Sequence, residues 1–213
     1  MGRPHKDSNK KAAKDLLLEA AFQLIRTKGY TSTRIEEICE LAGVTKGTFF
    51  HYFDTKEALA VAAAQHWSRV TGEFFKSAPY HNPKDPLDRF LGYIEFRKEI
   101  LHGKIPEFTC LVGTMVQEAY NTHPEIRIAC RDSIFGHAET LEKDIQEAKR
   151  LYAPKAKWSV KSLALHTQAV IQGSFILAKA TDSAEVASQA IDHLKNYVQL
   201  LFNQQTKKEK SYG

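Results

Sequence analysis

At 213 residues, 43% hydrophobic and 26% charged, the chain is long enough for one or two domains and too apolar for a disordered segment. The N-terminal MGRPHKDSNKKAAK has no apolar stretch of the kind a secretory signal needs. The longest uncharged run, residues 162–178, is too short and too polar to span a bilayer, so the expected setting is cytoplasmic with no membrane partner. The net charge of +5 is uneven: five basic residues (Arg3, Lys6, Lys10, Lys11, Lys14) face one aspartate in the first fourteen positions. Such an arm suits nucleic-acid contact or simply a solvated tail.

The periodicity is helical from end to end, which predicts an all-α protein of about nine helices, three of them short and N-terminal. Lys11–Lys28 carries Leu17, Ala21, Leu24 and Ile25 at helical spacing, with Gly29 where a left-handed cap belongs. Thr33-Arg-Ile-Glu36 reads as a capping box opening a helix with Ile35, Ile38 and Leu41 inward, and Gly43 ends it. Thr45 can cap the next helix. Asp54-Thr-Lys-Glu57 is a second box, so that helix must stop near Phe53 before a long one begins. The Pro-rich APYHNPKDP at 78–86 is a loop, and further helices fit 86–102, 107–121, 125–151, 158–181 and 184–205.

Two short helices joined through Ala42-Gly43-Val44 make a helix-turn-helix. On its second helix Phe49 and Phe53, at i and i+4, share the inward face, Gly47, Thr48 and His51 lie opposite, and Phe50 and Tyr52 flank them. The outward set suits DNA. Lys46 can donate to guanine, Gly47 lets the backbone come close, and Thr48 offers a methyl and a hydroxyl. His51, Tyr52 and Lys56 suit phosphates, and Thr33, Thr45 and Lys56 lie at helix starts where backbone N–H groups add to the grip.

The run TRIEEICELAGVTKGTFFHYFDTKEAL, residues 33–59, closely resembles the DNA-binding domain of the TetR family of bacterial regulators. It matches at Thr33, Ala42-Gly43-Val44, Thr45, Gly47, Phe49, Tyr52, Phe53 and Thr55-Lys56-Glu57. It departs where Phe50 replaces a usual tyrosine, which removes a phosphate-binding hydroxyl and leaves apolar contact with a thymine methyl. The resemblance implies a helix-turn-helix domain over 1–56, a helical ligand-binding and dimerisation domain over 57–213, a double-stranded operator, a small-molecule effector and a homodimer.

In the second part the last two long helices carry Ala164, Ile171, Phe175, Leu194, Tyr197 and Leu201, which read either as ordinary core or as half of a four-helix bundle with a second copy; the resemblance favours the bundle. The stretch FTCLVGTMVQEAY at 108–120 sets Cys110 and Thr114 on one face beside Gly113. It reads as packing or as the wall of a pocket for an apolar or aromatic molecule, with Tyr93 and His137 as polar anchors. Several TetR-like regulators resemble the chain here, with a cysteine opening the same helix, which implies a pocket or sensor role for Cys110.

No catalytic motif, metal-ligand spacing or cofactor signature is present in the sequence. The three cysteines Cys39, Cys110 and Cys130 form no CxxC pair and read as reduced thiols. The alternative to a regulator is an all-α enzyme or adaptor whose helix-turn-helix is purely structural.

Overall fold

The computed structural model describes the backbone of residues 6–209 and the side chains of residues 13–202. Ten α-helices run in order among the described residues: α1 (Lys6–Lys28), α2 (Ile35–Ala42), α3 (Lys46–Tyr52), α4 (Lys56–Lys76), α5 (Pro86–Glu99), α6 (Ile105–Phe108), α7 (Leu111–Ala119), α8 (Pro124–Tyr152), α9 (Val160–Thr181) and α10 (Ala184–Glu209). The expected loop at 78–86 holds one 3₁₀ turn, Pro79–His81. The fold is all-α, as the periodicity predicts.

The helix expected over 107–121 is two. Cys110 adopts an extended backbone and caps α7, with its Sγ accepting from the Gly113 N–H at 3.4 Å, so the chain turns before Leu111. Cys110 therefore opens α7 from outside it. The basic arm falls mostly beyond the described side chains. Lys14 is described, and its ammonium sits 5.8 Å over the Phe53 ring.

The chain divides into two compact units whose boundary differs from the expected break after residue 56. The first takes the described residues to Val70 together with Thr109–Ser133, and the second takes Thr71–Phe108 and the described residues from Ile134 onward. The boundary falls inside α4 and α8 because both helices continue unbroken through it, and α7 packs on α1 within the first unit.

The first unit is built on Leu17, Ala21 and Ile25 of α1, Ile38, Cys39 and Ala42 of α2, Phe49 of α3 with Phe53, and Leu59 and Ala63 of α4, all buried. Leu41, expected inward, is 45% exposed. With Ile38, Cys39 and Ala42 facing in at i, i+1 and i+4, position 41 falls on the solvent side of so short a helix. Each buried leucine- or phenylalanine-sized side chain contributes about 1.5–3 kcal/mol.

In the second unit α10 packs on α9 and α5. Ion pairs from α5 to α10, Lys98 to Asp192 at 2.7 Å and Lys195 to Glu95 at 2.6 Å, flank that buried seam. Asp85 caps α5, accepting from the Leu87 and Asp88 N–H groups at 2.8 and 3.1 Å ahead of Pro86 at the first helical position.

Candidate nucleic-acid interface and ligand site

The turn between α2 and α3 is closed by Gly43, whose φ of 65° lies in the left-handed region. Its N–H and that of Val44 donate to the Glu40 and Cys39 carbonyls at 3.1 and 2.9 Å, satisfying the end of α2. Thr45 then caps α3, its Oγ1 accepting from the Thr48 N–H at 3.1 Å and lying 3.0 Å from the Thr48 hydroxyl. With Phe49 and Phe53 held inside, the rest of α3 turns outward. Thr45, Lys46, Gly47, Phe50 and His51 are exposed, and Thr48 and Tyr52 are half-buried.

Nothing inside the fold requires a glycine at 47, where an added Cβ would meet only Thr45 Oγ1 at 3.6 Å. Phe50 leaves 52% of its surface in solvent, with its ring 5.2 Å from that of Phe49. Lys46 reaches Glu36 at 2.5 Å; both are exposed, so the ammonium can exchange this partner for another anion. That ammonium draws the Glu36 carboxyl below its usual range.

Two of the sequence-based assignments change here. Thr33 is 1% exposed and its hydroxyl donates to the Gly29 carbonyl at 2.6 Å, so it neither caps α2 nor offers a side chain to a phosphate. The cap runs instead from the Arg34 N–H to the Glu37 carboxylate at 3.0 Å, one residue later than the expected box. Lys28 joins Glu37 at 2.5 Å, and these contacts hold the Glu37 carboxyl down to about 2. Likewise Thr55, not Asp54, caps α4, accepting from the Ala58 N–H at 3.0 Å.

Lys56 is turned into the fold. Its ammonium donates to the carbonyls of Tyr30, Thr31 and Thr33 at 3.1, 3.4 and 3.0 Å and lies 4.4 Å over the Tyr30 ring. Partial burial holds its pKa down, with Glu118 pulling the other way. Glu118 of α7 closes the turn from its donor side, accepting from the Tyr30 and Thr31 N–H groups at 3.2 and 2.8 Å. Gly29, with φ 89°, lies so close that a Cβ there would collide with this carboxylate. The turn 29–33 that leads into the helix-turn-helix is thus clamped by a cation on its carbonyls and an anion on its amides.

The second unit gathers an aromatic and polar cluster. The Tyr93 hydroxyl lies 2.9 Å from His137 Nε2 and accepts from Gln168 Nε2 at 2.8 Å. The Phe75 ring stands 4.7 Å from His137 and 6.0 Å from Tyr93, and the Tyr80 ring 5.5 Å from Tyr93. Burial first, and the nearby Arg97 charge second, push the His137 imidazole down to about 3, so it is neutral at physiological pH. Arg97 itself is buried between rings, its Cζ 5.1 Å over Phe75 and 5.6 Å over Phe175. Of the four residues expected to line a pocket, Tyr93 and His137 are thus brought together here. Cys110 and Thr114 form a pair in the first unit, where the Thr114 hydroxyl donates to the Cys110 carbonyl at 3.0 Å.

Comparison with known proteins gives these two regions a common frame. Residues 17–63 match the model of bacterial regulatory proteins of the tetR family, and residues 86–194 match that of the tetracyclin repressor-like C-terminal domain. The chain belongs to the TetR family.

Its relatives include an HTH-type transcriptional regulator in the lacX 3' region of Lactococcus lactis subsp. lactis, 28% identical over 88% of this chain and 93% of that one. The transcriptional repressor NemR of Escherichia coli K12 is 24% identical over 85% of this chain and 92% of its own. Among solved structures, reduced NemR superposes with a TM-score of 0.71, covering 86% of this chain and 96% of its own at 24% identity. A TetR regulator from Chloroflexus aurantiacus gives 0.77, covering 90% and 96% at 22% identity.

On α9 and α10 the six residues expected at a dimer interface separate. Ala164, Ile171, Phe175 and Leu194 are buried within the second unit and belong to its core. They separate from the outward residues where α9 and α10 pack on each other, a phase that the sequence pattern alone does not give. Leu201 is half-buried and Tyr197 exposed. The apolar surface left outside consists of Ile176 and Leu177 on α9 and Tyr197 and Leu200 on α10, and the His166 and Tyr197 rings meet at 5.1 Å. Sequence reasoning also missed Arg34, Arg97, Glu118 and Gln168. Glu118 and Gln168 take their roles from partners 75 or more positions away, Arg97 from the rings of Phe75 and Phe175, and Arg34 from a cap shifted by one residue.

Proposed function

We propose that this TetR-family protein is a repressor that binds a palindromic operator as a homodimer in the cytoplasm and is released by a small apolar or aromatic effector; we read it as a regulator and not as an enzyme. The observation that carries this reading is the outward set on α3. Lys46, Gly47, Phe50 and His51 are exposed together on a helix whose inward face is filled by Phe49. Lys46 and Thr48 are the base-reading side chains, Phe50 meets a thymine methyl, and Thr45, His51 and Tyr52 address phosphates. Arg34, exposed at the start of α2, joins them. Thr33 and Lys56 act from beneath by holding the turn.

The homodimer uses the outer stripe of Ile176, Leu177, Tyr197, Leu200 and Leu201, which sets two recognition helices against half-sites about one helical turn or a multiple apart. Tyr93 and His137 anchor the effector. Cys110 caps α7 and Thr114 lies in it, the helix that also carries Glu118 against the turn. An effector can release DNA only through a difference in its affinity for the DNA-bound and DNA-free conformations.

The test is selection of random duplexes on the full-length protein, followed by binding measurements across salt concentrations. A palindromic motif and a steep fall of affinity with salt are expected. Lys46→Ala should cost about 1–3 kcal/mol and relax preference at one base position. Leu200→Glu should split the dimer and abolish tight binding while leaving each chain folded. Binding with no sequence preference, or a monomer that holds the selected operator tightly, would refute the proposal.

A further inference from the structure

In the second unit Arg97 differs from its neighbouring cations. Arg89 has Asp144 at 2.8 Å and Glu147 at 3.1 Å, Lys98 has Asp192, and Lys195 has Glu95. Arg97 is 8% exposed and its Nε is sealed from solvent without a hydrogen-bond partner. Its two terminal nitrogens are not sealed and have no acceptor among the described residues. Its contacts are the faces of Phe75 and Phe175, which stabilise a cation through their quadrupoles but accept no hydrogen bond along the guanidinium edge. A buried charge without a counter-ion is unfavourable unless something else completes it.

We propose that Arg97 is the anchor of an anion subsite, and that the effector is a small monocarboxylate with an apolar or aromatic body. The inference rests on the effector reading above and sharpens it. A guanidinium presents two parallel N–H groups that match the two oxygens of a carboxylate, a fit that an amide or alcohol cannot complete. The rings of Phe75, Tyr93 and Phe175 supply the apolar wall for the body of the molecule.

The charge count favours one negative charge. His137, held neutral by burial and by Arg97, adds none, so a single carboxylate neutralises the site and a dianion would leave excess charge inside. Tyr93 and Gln168 are already bonded to each other and, for Tyr93, to His137. They set the depth at which a ligand stops rather than contributing the charge.

The test uses the full-length protein and two matched pairs of probes, benzoate with benzamide and hexanoate with hexanamide, read by calorimetric titration and thermal melting. At least one carboxylate should bind tenfold or more tightly than its amide and raise the melting temperature saturably. Arg97→Met should lose that preference, and without ligand it should melt no lower than wild type, because an uncompensated charge has been removed. Carboxylates that bind no better than their amides in the wild-type protein overturn the proposal, as does a preference that survives in Arg97→Met. An Arg97→Met protein that melts far below wild type assigns the arginine to packing, with the same consequence. Operator retention is followed in the same titrations. Arg97-dependent carboxylate binding that leaves the operator bound removes the effector reading and keeps the anion subsite, so the two fail separately.

Discussion

The two candidate sites differ in where they leave polar groups without partners. In the first, the interior contacts around the helix-turn-helix are closed: Lys56 meets three carbonyls, Glu118 two amides, and Thr33 the Gly29 carbonyl. Two buried polar atoms of the first unit, Arg26 Nε and Thr109 Oγ1, make no hydrogen bond among the described residues, but around the recognition helix the spare groups are outside, on the exposed face of α3. In the second, the surface ion pairs are closed and the incomplete group, Arg97, is inside. The contrast fits their tasks. A surface that meets a polyanion has to be rigid beneath and unsatisfied above, whereas a site for a small molecule has to be unsatisfied within.

The largest expected effect tests the rigid floor beneath α3. Phe49 is fully buried and its ring lies 5.8 Å from that of Phe53, so Phe49→Ala should cost about 3–5 kcal/mol of stability, seen as a lower denaturation midpoint. Phe50→Ala, one position on, should cost under about 0.5 kcal/mol of stability because the ring is half in water, yet still weaken operator binding. Equal stability losses at the two positions would erase the distinction between floor and face.

How far each region can be read in the sequence follows from the same contrast. The helix-turn-helix is specified locally: Gly43 between two short helices, Thr45 as a cap and the i, i+4 pair Phe49 and Phe53 all lie within about a dozen residues. The caps there shift by one residue, whereas the inward turn of Lys56 is set by the carbonyls of the 30–33 turn. Arg34 and Thr55 take the cap positions expected of Thr33 and Asp54, because Thr33 is drawn inward to Gly29 and the choice depends on that turn.

The pairing of Tyr93 with His137 follows from two helices having polar residues on apolar faces. The bond from Gln168 comes from a third helix, and the lack of a partner for Arg97 Nε among the described residues is a matter of packing that no local pattern encodes. The residues expected at a dimer interface fall mostly in the core of the second unit for a related reason. Both faces of α9 are apolar, and only packing against α10 decides that Phe175 is core and Leu177 is surface.

A middle-sized effect probes the buried cluster around Tyr93 in the second unit through pH. His137 titrates near 3 in the folded chain and near its ordinary 6.5 when unfolded. The unfolded chain therefore takes up the proton first as pH falls. The stability that comes from keeping His137 neutral is complete above about 6.5 and is lost progressively between about 6.5 and 3. At pH 5 the loss should be about 1–2 kcal/mol, given that the ring is only half-buried, and His137→Gln should remove that component. Denaturant midpoints measured from pH 7.5 to 4.5 on both proteins check it. Parallel curves would mean that the ring is solvated and that the cluster around Tyr93 is open.

The smallest effect concerns the clamp on the turn. Glu118 is exposed, yet its two oxygens occupy the Tyr30 and Thr31 amides while Lys56 holds the opposite carbonyls. Glu118→Gln keeps the size of the side chain and one acceptor but loses the charge and the second acceptor, so it should cost about 1 kcal/mol of stability. The consequence for function should be larger than that figure suggests. The turn carries the chain into α2, and a looser turn adds conformations of the recognition helix that must be frozen on binding, so operator affinity should fall with little change in base preference. Lys56→Ala should act in the same way and leave the salt slope almost unchanged, because its ammonium is committed to carbonyls. A salt slope lowered by about one unit in Lys56→Ala would instead place that ammonium on a phosphate in the complex. The clamp would then have to open when DNA binds.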